Sequence, residues 1–212
     1  MESIKRTDTS AMCDVGPQLQ RPNVVFDFGN VLIQWNPERL LREFAQDKEE
    51  LGYLMTEVCS PEWNARIDRG EPMEQCCLER AELFPEYKDA IMAYGKRWFD
   101  MVPGEVPGML ELVKSLKEDE VHRVFGLSNF SKETFVEARK RFPVLQEIDE
   151  YVISGSIGWI KPETEIYLFF LRSFGLHADE CVFIDDSIAN IEKAKRIGFD
   201  TILFNTNFLN CI

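Results

Sequence analysis

Histidine is scarce in this sequence: His122 and His177 are the two copies among 212 residues. Neither has a partner at metal-ligand spacing, so both are expected to be structural. No apolar run approaches the roughly 20 residues needed to cross a bilayer, so no membrane partner is expected. The first 23 residues are polar and lack the apolar middle region of a signal peptide. Residues 1–22 are therefore expected to form a loosely docked leader with at most one helical turn, on a cytoplasmic protein. Positive charge is in deficit, with 24 Lys and Arg against 37 Asp and Glu and a net charge of −13. Such a surface repels phosphate backbones, and no nucleic-acid partner is expected. An anionic small molecule remains compatible, because a bound cation can reverse the local potential. The six cysteines, Cys13, Cys59, Cys76, Cys77, Cys181 and Cys211, show no zinc-site spacing, and adjacent Cys76 and Cys77 suit neither a zinc site nor a disulfide. They read as thiols of a reducing compartment.

What is present is an alternating pattern. Asn23-Val-Val-Phe-Asp27 is a short β-branched and aromatic run that ends on a carboxylate. Similar runs return much later at Arg123-Val-Phe-Gly-Leu127, Tyr151-Val-Ile153, Cys181-Val-Phe-Ile184 and Thr201-Ile-Leu-Phe204. None alternates cleanly, which is the mark of strands covered on both faces of a parallel sheet. Helical patterns at 106–117, 131–141, 162–174 and 187–197 separate them. Pro162 is expected in the first turn of its helix, Ser131 as a cap, and Gly175 and Gly198 just past helix ends. The fold class predicted is α/β, a doubly wound parallel sheet.

Residues 36–100 break that rhythm with helical patterns at 37–46, 48–58, 72–83 and 87–99 and no convincing strand. We read them as an all-helical insertion, closed by the two Pro-Gly steps of Pro103-Gly104 and Pro107-Gly108. The core then comprises residues 23–35 and 101–212. An insertion after the first strand hangs over the carboxyl edge of the sheet, where ligands bind in such folds, and is a candidate lid.

Asp27, Ser128 with Asn129, Lys161, and Asp185 with Asp186 each follow an apolar strand or open a helix. In a parallel sheet these strand ends share one edge. Three carboxylates brought that close cannot all stay ionised against a single lysine. A hard divalent ion is the natural remedy, and magnesium suits oxygen ligands and a phosphate oxygen. Taken singly, each residue also reads as a helix cap, a turn group or a solvated lysine. Their order and shared position favour chemistry.

The segments around Asp27, Ser128, Lys161 and Asp185-Asp186 together resemble motifs I to IV of the haloacid dehalogenase-like (HAD) hydrolase superfamily. They occur in the family's order and span the chain from about residue 23 onward. The helical insertion resembles the family's C1-type cap. The Asp27-x-Gly29-Asn30-Val31 form of motif I, with Trp63 and Asp68-Arg69-Gly70, resembles a bacterial subgroup that includes a glucose-1-phosphate phosphatase.

The resemblance implies a Rossmann-like core and magnesium-dependent hydrolysis of a small phosphorylated metabolite, such as a sugar phosphate, through an aspartyl-phosphate on Asp27. It implies that Ser128 and the amide of Asn129 hold phosphoryl oxygens and that Lys161 offsets charge. Asp27, the carbonyl of Gly29 and Asp186 would ligate magnesium, with Asp185 doing so directly or through water. One position departs from the pattern. The family's phosphatases carry a general acid two residues after the nucleophile, where this chain has Gly29. Losing a positioned acid typically costs ~10²–10⁴ in rate. A preference for good leaving groups is one expectation. The other is that the substrate, water or a cap residue supplies the proton, Asp68 being the cap candidate, although a helix-terminal Asp is more often structural.

Three alternatives compete. Hydrolytic dehalogenation needs no metal and leaves Asp185 and Asp186 unexplained. A phospho-accepting receiver-like module would have its acidic pair on the first strand, the reverse of the order here. A member that binds phosphometabolites without turnover finds support in Gly29 alone.

Overall fold

The computed structural model describes residues 21–118 and 120–205. The expected leader up to residue 20, and Cys13 and Cys211, lie outside the described residues. Five strands form one parallel sheet: β1 (Asn23–Phe26), β2 (Arg123–Ser128), β3 (Glu150–Ile153), β4 (Cys181–Asp185) and β5 (Asp200–Leu203). Their spatial order is β3-β2-β1-β4-β5. The chain thus walks outward from β1 in one direction, then returns to β1's other side. The crevice at such a reversal is where open α/β sheets bind ligands. Register aligns the ends, with Phe26 beside both Gly126 and Ile184.

The missing alternation in the strands has its cause in two covered faces. On one, Val24, Phe26, Val182 and Ile184 pack with Met109 and Val113 of α6 (Met109–Glu118) and Phe135 of α7 (Lys132–Arg141). On the other, Val25, Phe125 and Phe183 pack with Ile166, Tyr167 and Phe170 of α9 (Thr164–Phe174) and Ile191 of α10 (Ile188–Ile197). A doubly wound sheet is therefore what the structure shows.

Between β1 and α6 stand the helices α1 (Glu38–Leu41), α2 (Lys48–Tyr53), α3 (Pro61–Asp68), α4 (Met73–Leu83) and α5 (Lys88–Lys96). The chain leaves and re-enters the sheet region through two adjacent segments. Gln34 N donates to Gly104 O, Asn36 N to Met101 O, and Val106 N to Leu32 O, at 2.8–2.9 Å. The helical layer shares one apolar core with the sheet, from Leu54, Trp63 and Ile91 to Val24 and Phe26.

Several boundaries differ from the sequence reading. Pro162 is not in the first turn of α9. It lies in a turn behind a cis Lys161–Pro162 peptide, and α9 begins at Thr164. Ser131 stands at the cap position of α7 but makes no capping hydrogen bond. The pattern at 37–46 yields only the four residues of α1, and that at 87–99 ends in a 3-10 turn, Trp98–Met101. Helix α3 is too short for its periodicity to show in the sequence, although Ser60-Pro61 is a start signal: Ser60 Oγ accepts from Trp63 N at 3.3 Å. A further four-residue helix, α8 (Pro143–Gln146), was also unforeseen.

Gly126 sits mid-strand in β2 beneath the Phe28 ring, where an added Cβ would fall 2.3 Å from Cζ and 3.1 Å from the Tyr151 Cβ. Phe28 is itself stacked on Phe135 and has nowhere easy to go. Gly126→Ala should lose about 1–3 kcal/mol by overpacking, read as a lower denaturant midpoint. An unchanged midpoint would show that the ring shifts freely.

Candidate active site

Asp27 is the first residue beyond β1, and its backbone N–H still pairs with Ile184 O at 2.9 Å. That last sheet bond aims its carboxylate across the carboxyl edge. Oδ1 accepts from Phe28 N at 2.6 Å, from Ser128 Oγ at 2.7 Å and from Lys161 Nζ at 2.8 Å. The Lys161 ammonium is 3% exposed and also donates to Asp185 Oδ2 at 2.7 Å. Ser128, Lys161 and Asp185, separated by up to 158 residues of chain from Asp27, therefore do meet it at one edge.

The second carboxylate of the pair is saturated. Asp185 is wholly buried; Asn190 Nδ2 donates to both its oxygens at 3.0 Å, and Ser187 N to Oδ1 at 2.8 Å. Asp186, by contrast, is exposed, and its Oδ2 accepts from Asn30 Nδ2 at 3.1 Å. Asn30 has φ +56°, a region that Asn tolerates better than most residues, and its Oδ1 accepts from Trp35 N. Asn129 clamps the backbone of Lys161: its Oδ1 accepts from Lys161 N at 2.7 Å and its Nδ2 donates to Lys161 O at 3.0 Å. The sequence names Asn30 as part of motif I without a role for its side chain, and it gives no signal for Asn190 or for the Asn129 side chain. Asn190 follows Asp185 by five residues, where a helix begun at residue 188 brings it back under the carboxylate.

Asp27, Asp185 and Asp186 each offer an oxygen within 4.8 Å of the others. For all three carboxylates to be ionised beside the one ammonium of Lys161, a cation must offset the excess negative charge. Burial pushes Asp27 above the usual carboxylate range, although Lys161 opposes it. Burial raises Asp186 as well, against the Asn30 hydrogen bond. For Lys161 burial works downward, yet Asp185 and Asp27 outweigh it and hold the ammonium protonated. No hydrogen bond among the described residues occupies the Gly29 carbonyl oxygen. The donor set is all oxygen, which suits a hard divalent ion.

Beside these groups lies a cavity of about 190 Å³, lined by Asp27, Gly29 and Asp186 from the sheet edge and by Asn64, Asp68 and Trp98 from the helical layer. A second cavity of about 370 Å³, reaching Met55, Tyr94 and Ile160, shares Trp35, Asn64, Asp68 and Asn129 with the first. Neither histidine lines these cavities. Cys59, Cys76, Cys77 and Cys181 are buried free thiols, and burial raises each pKa, so none is an activated nucleophile.

Asp68 ends α3. Its Oδ2 accepts from Asn64 Nδ2 at 2.9 Å, and Asn64 Oδ1 accepts from Tyr94 Oη at 2.9 Å. The backbone of α3's end is tied to the sheet side. Ser154 Oγ donates to Asp68 O at 2.5 Å, and Arg69 makes a two-pronged pair with Glu163 at 2.5 and 3.0 Å. Burial pushes Asp68 up to about 7, and the Asn64 hydrogen bond only partly opposes it.

A carboxyl group raised on folding stabilises the fold below its unfolded pKa, and that contribution is lost as pH rises through the folded value. For Asp68 the window runs from about 4, the unfolded value, to about 7. In chelator, the stability of the parent protein relative to Asp68→Asn should therefore decline across that window, by on the order of 2–4 kcal/mol. Paired thermal melts of the two proteins would read it, and a constant difference in Tm would refute the burial argument.

Comparison with known proteins follows the same geometry. Residues 24–204 match the family described as haloacid dehalogenase-like hydrolase. A phosphorylated carbohydrates phosphatase of Thermotoga maritima is 25% identical over 188 residues, covering 88% of this chain and 86% of that protein. A D-ribitol-5-phosphate phosphatase of Bacteroides thetaiotaomicron is 24% identical, covering 84% of this chain and 89% of its own. Among solved structures, a HAD-family enzyme of Bacteroides thetaiotaomicron in complex with magnesium superposes with a TM-score of 0.70 at 23% identity, over 88% of this chain and 94% of that one. With its sheet order, its acidic edge and 181 of 212 residues matched (24 through 204), the chain belongs to the haloacid dehalogenase-like hydrolase family.

Proposed function

We propose that this enzyme is a magnesium-dependent phosphatase acting on a small phosphorylated metabolite, with a sugar or polyol phosphate as the favoured class. The observation that carries the reading is the meeting of Asp27, Asp185 and Asp186 within 4.8 Å around one buried lysine. A carbon-attacking dehalogenase has no use for a second and third carboxylate there. The phosphatase names of the two relatives point the same way.

Asp27 and Asp186, with the Gly29 carbonyl, are the groups free to hold Mg²⁺. Asp185 has both oxygens occupied by protein donors, so it holds Lys161 and would support the ion from behind rather than as a free ligand. Bound there, Mg²⁺ would supply charge neutralisation for the transferring phosphoryl group. The Asp27 carboxylate attacks phosphorus, forming an acyl phosphate and splitting one hard step into two. Ser128 Oγ, which rests on Asp27 Oδ1, turns to a non-bridging phosphoryl oxygen, joined by the amide of Asn129. Lys161 balances the charge that accumulates between nucleophile and phosphate, and Asn129 fixes it for that task. The cavity wall combines aromatic faces (Trp35, Trp98) with amide and hydroxyl groups (Asn64, Ser131, Thr134), a lining suited to a compact polyhydroxylated leaving group.

A magnesium-supplemented screen of small phosphate esters tests the reading. Phosphate release should vanish with chelator, return with Mg²⁺, and fall to background in Asp27→Asn. Metal-independent halide release from haloacids would overturn it in favour of dehalogenation. Binding of phosphorylated metabolites without any release would favour a non-catalytic member.

Asn30→Gly keeps the left-handed backbone but removes the amide that holds Asp186. It should raise the Mg²⁺ concentration for half-activation about 10–100-fold. Unchanged metal titration would place Asp186 outside the ion's coordination.

A further inference from the structure

Position 29 poses a problem that the cavity itself answers. A glycine there has no proton to give, yet an ester leaving group departs as an alkoxide unless something protonates it. We infer that Asp68, at the end of α3 in the helical insertion, is the enzyme's general acid and base. The inference rests on the phosphatase reading above.

Asp68 is, among the described residues lining the cavity over Asp27, the one carboxyl group outside the metal cluster. It lines the same cavity as Asp27 and Asp186 but is carried by α3 of the helical layer rather than by a strand end, which leaves it free to serve the departing oxygen rather than the metal. Its two oxygens are not equivalent. Oδ2 is engaged by Asn64, whose own carbonyl is fixed by the Tyr94 hydroxyl. Oδ1 has no protein partner among the described residues and is left to carry and deliver the proton.

Position is secured on the far side as well. The Ser154 hydroxyl grips the Asp68 backbone, and Ser154 Oγ in turn accepts from Phe130 N, two residues beyond Ser128. The Arg69–Glu163 pair adds a second tie, to the segment that carries Lys161. Gly70 passes so close that a Cβ would stand 2.7 Å from Gly155 O. Donor, nucleophile and lysine are thus held by one network.

The charges that face Asp68 are Asp27, which favours its protonated form, and Lys161, which opposes it; the Tyr94 hydroxyl is neutral. The dry surroundings keep the proton in place near neutral pH. Ser131 and Thr134 line the same cavity, but a hydroxyl is far too weak an acid to substitute.

The proton balance closes. As Asp27 Oδ bonds to phosphorus, the P–O bond to the leaving group breaks, and its oxygen takes the electron pair together with the proton of Asp68. The resulting Asp68 carboxylate then takes a proton from water as that water's oxygen bonds to phosphorus. The acyl–phosphate bond breaks, Asp27 returns as a carboxylate, and Asp68 is protonated again.

The test compares Asp68→Asn with the parent in Mg²⁺ on two probes, 4-nitrophenyl phosphate and glycerol phosphate. The acidic nitrophenol needs no proton to depart, whereas the alcohol does. We expect kcat/KM for the alkyl ester to fall ~10²–10⁴-fold and that for the aryl ester by less than about tenfold. With the aryl ester a burst of nitrophenolate should precede slow turnover, because the phosphoenzyme now lacks its base. Equal losses on both esters, or none on the alkyl ester, overturn the assignment. Circular dichroism checks the fold of the variant. If Asp68→Asn is unfolded, Asp68→Ser, which also removes the carboxyl group, carries the same comparison. Should the parent release no phosphate from either ester, or Asp27→Asn retain full activity, the phosphatase reading falls and takes this one with it. An active parent, dead as Asp27→Asn but unselective as Asp68→Asn, sinks the role of Asp68 alone.

Discussion

A buried ammonium between two carboxylates is the constraint around which this molecule is arranged. Lys161 sits 2.8 Å from Asp27 and 2.7 Å from Asp185 with almost no access to water. Stripping one such charge of solvent costs several kcal/mol, and removing either partner leaves an uncompensated ion behind. The groups around it answer that cost. Asn190 and Ser187 N complete the hydrogen bonding of Asp185, and Asn129 pins the lysine's backbone in two places. Strand β1 ends where it does so that Asp27 can face this ion.

Much of this was legible in the chain itself. Five apolar runs without alternation foretold strands covered on both faces, and the two cores built on Val24 and on Val25 are the reason. The convergence of Asp27, Ser128 and Asp185 followed from parallel strands sharing an edge, whereas Lys161, which ends no strand, was placed there by the family resemblance alone. What lay hidden were residues whose importance depends on geometry that no local pattern encodes. Asn30 matters because its backbone is left-handed and turns its amide toward Asp186. Asn190 matters because the start of α10 brings its amide back to the wholly buried carboxylate of Asp185. Tyr94 and Asn64 belong to different helices and meet only after the insertion has folded.

Helix boundaries were misjudged for a related reason. Pro162 looked like a first-turn proline, but Lys161 has to reach inward to two carboxylates, and the backbone turns there before α9 can start. The demand of the site overrode the local preference. Helix α3 shows the opposite case: Ser60-Pro61 announces it clearly, but eight residues give too little periodicity to stand out.

The two segments that lead into and out of the helical layer run side by side, joined by hydrogen bonds between Gln34 and Gly104, Asn36 and Met101, and Leu32 and Val106. Because entry and exit are neighbours, lengthening or shortening the stretch between them breaks no pairing in the sheet, and closure of a longer loop costs little extra entropy. The architecture in effect has a socket. Length can change above it while the strand order and the charged edge below keep their hydrogen bonds, so the tether between the two parts is short even where the stretch it carries is long.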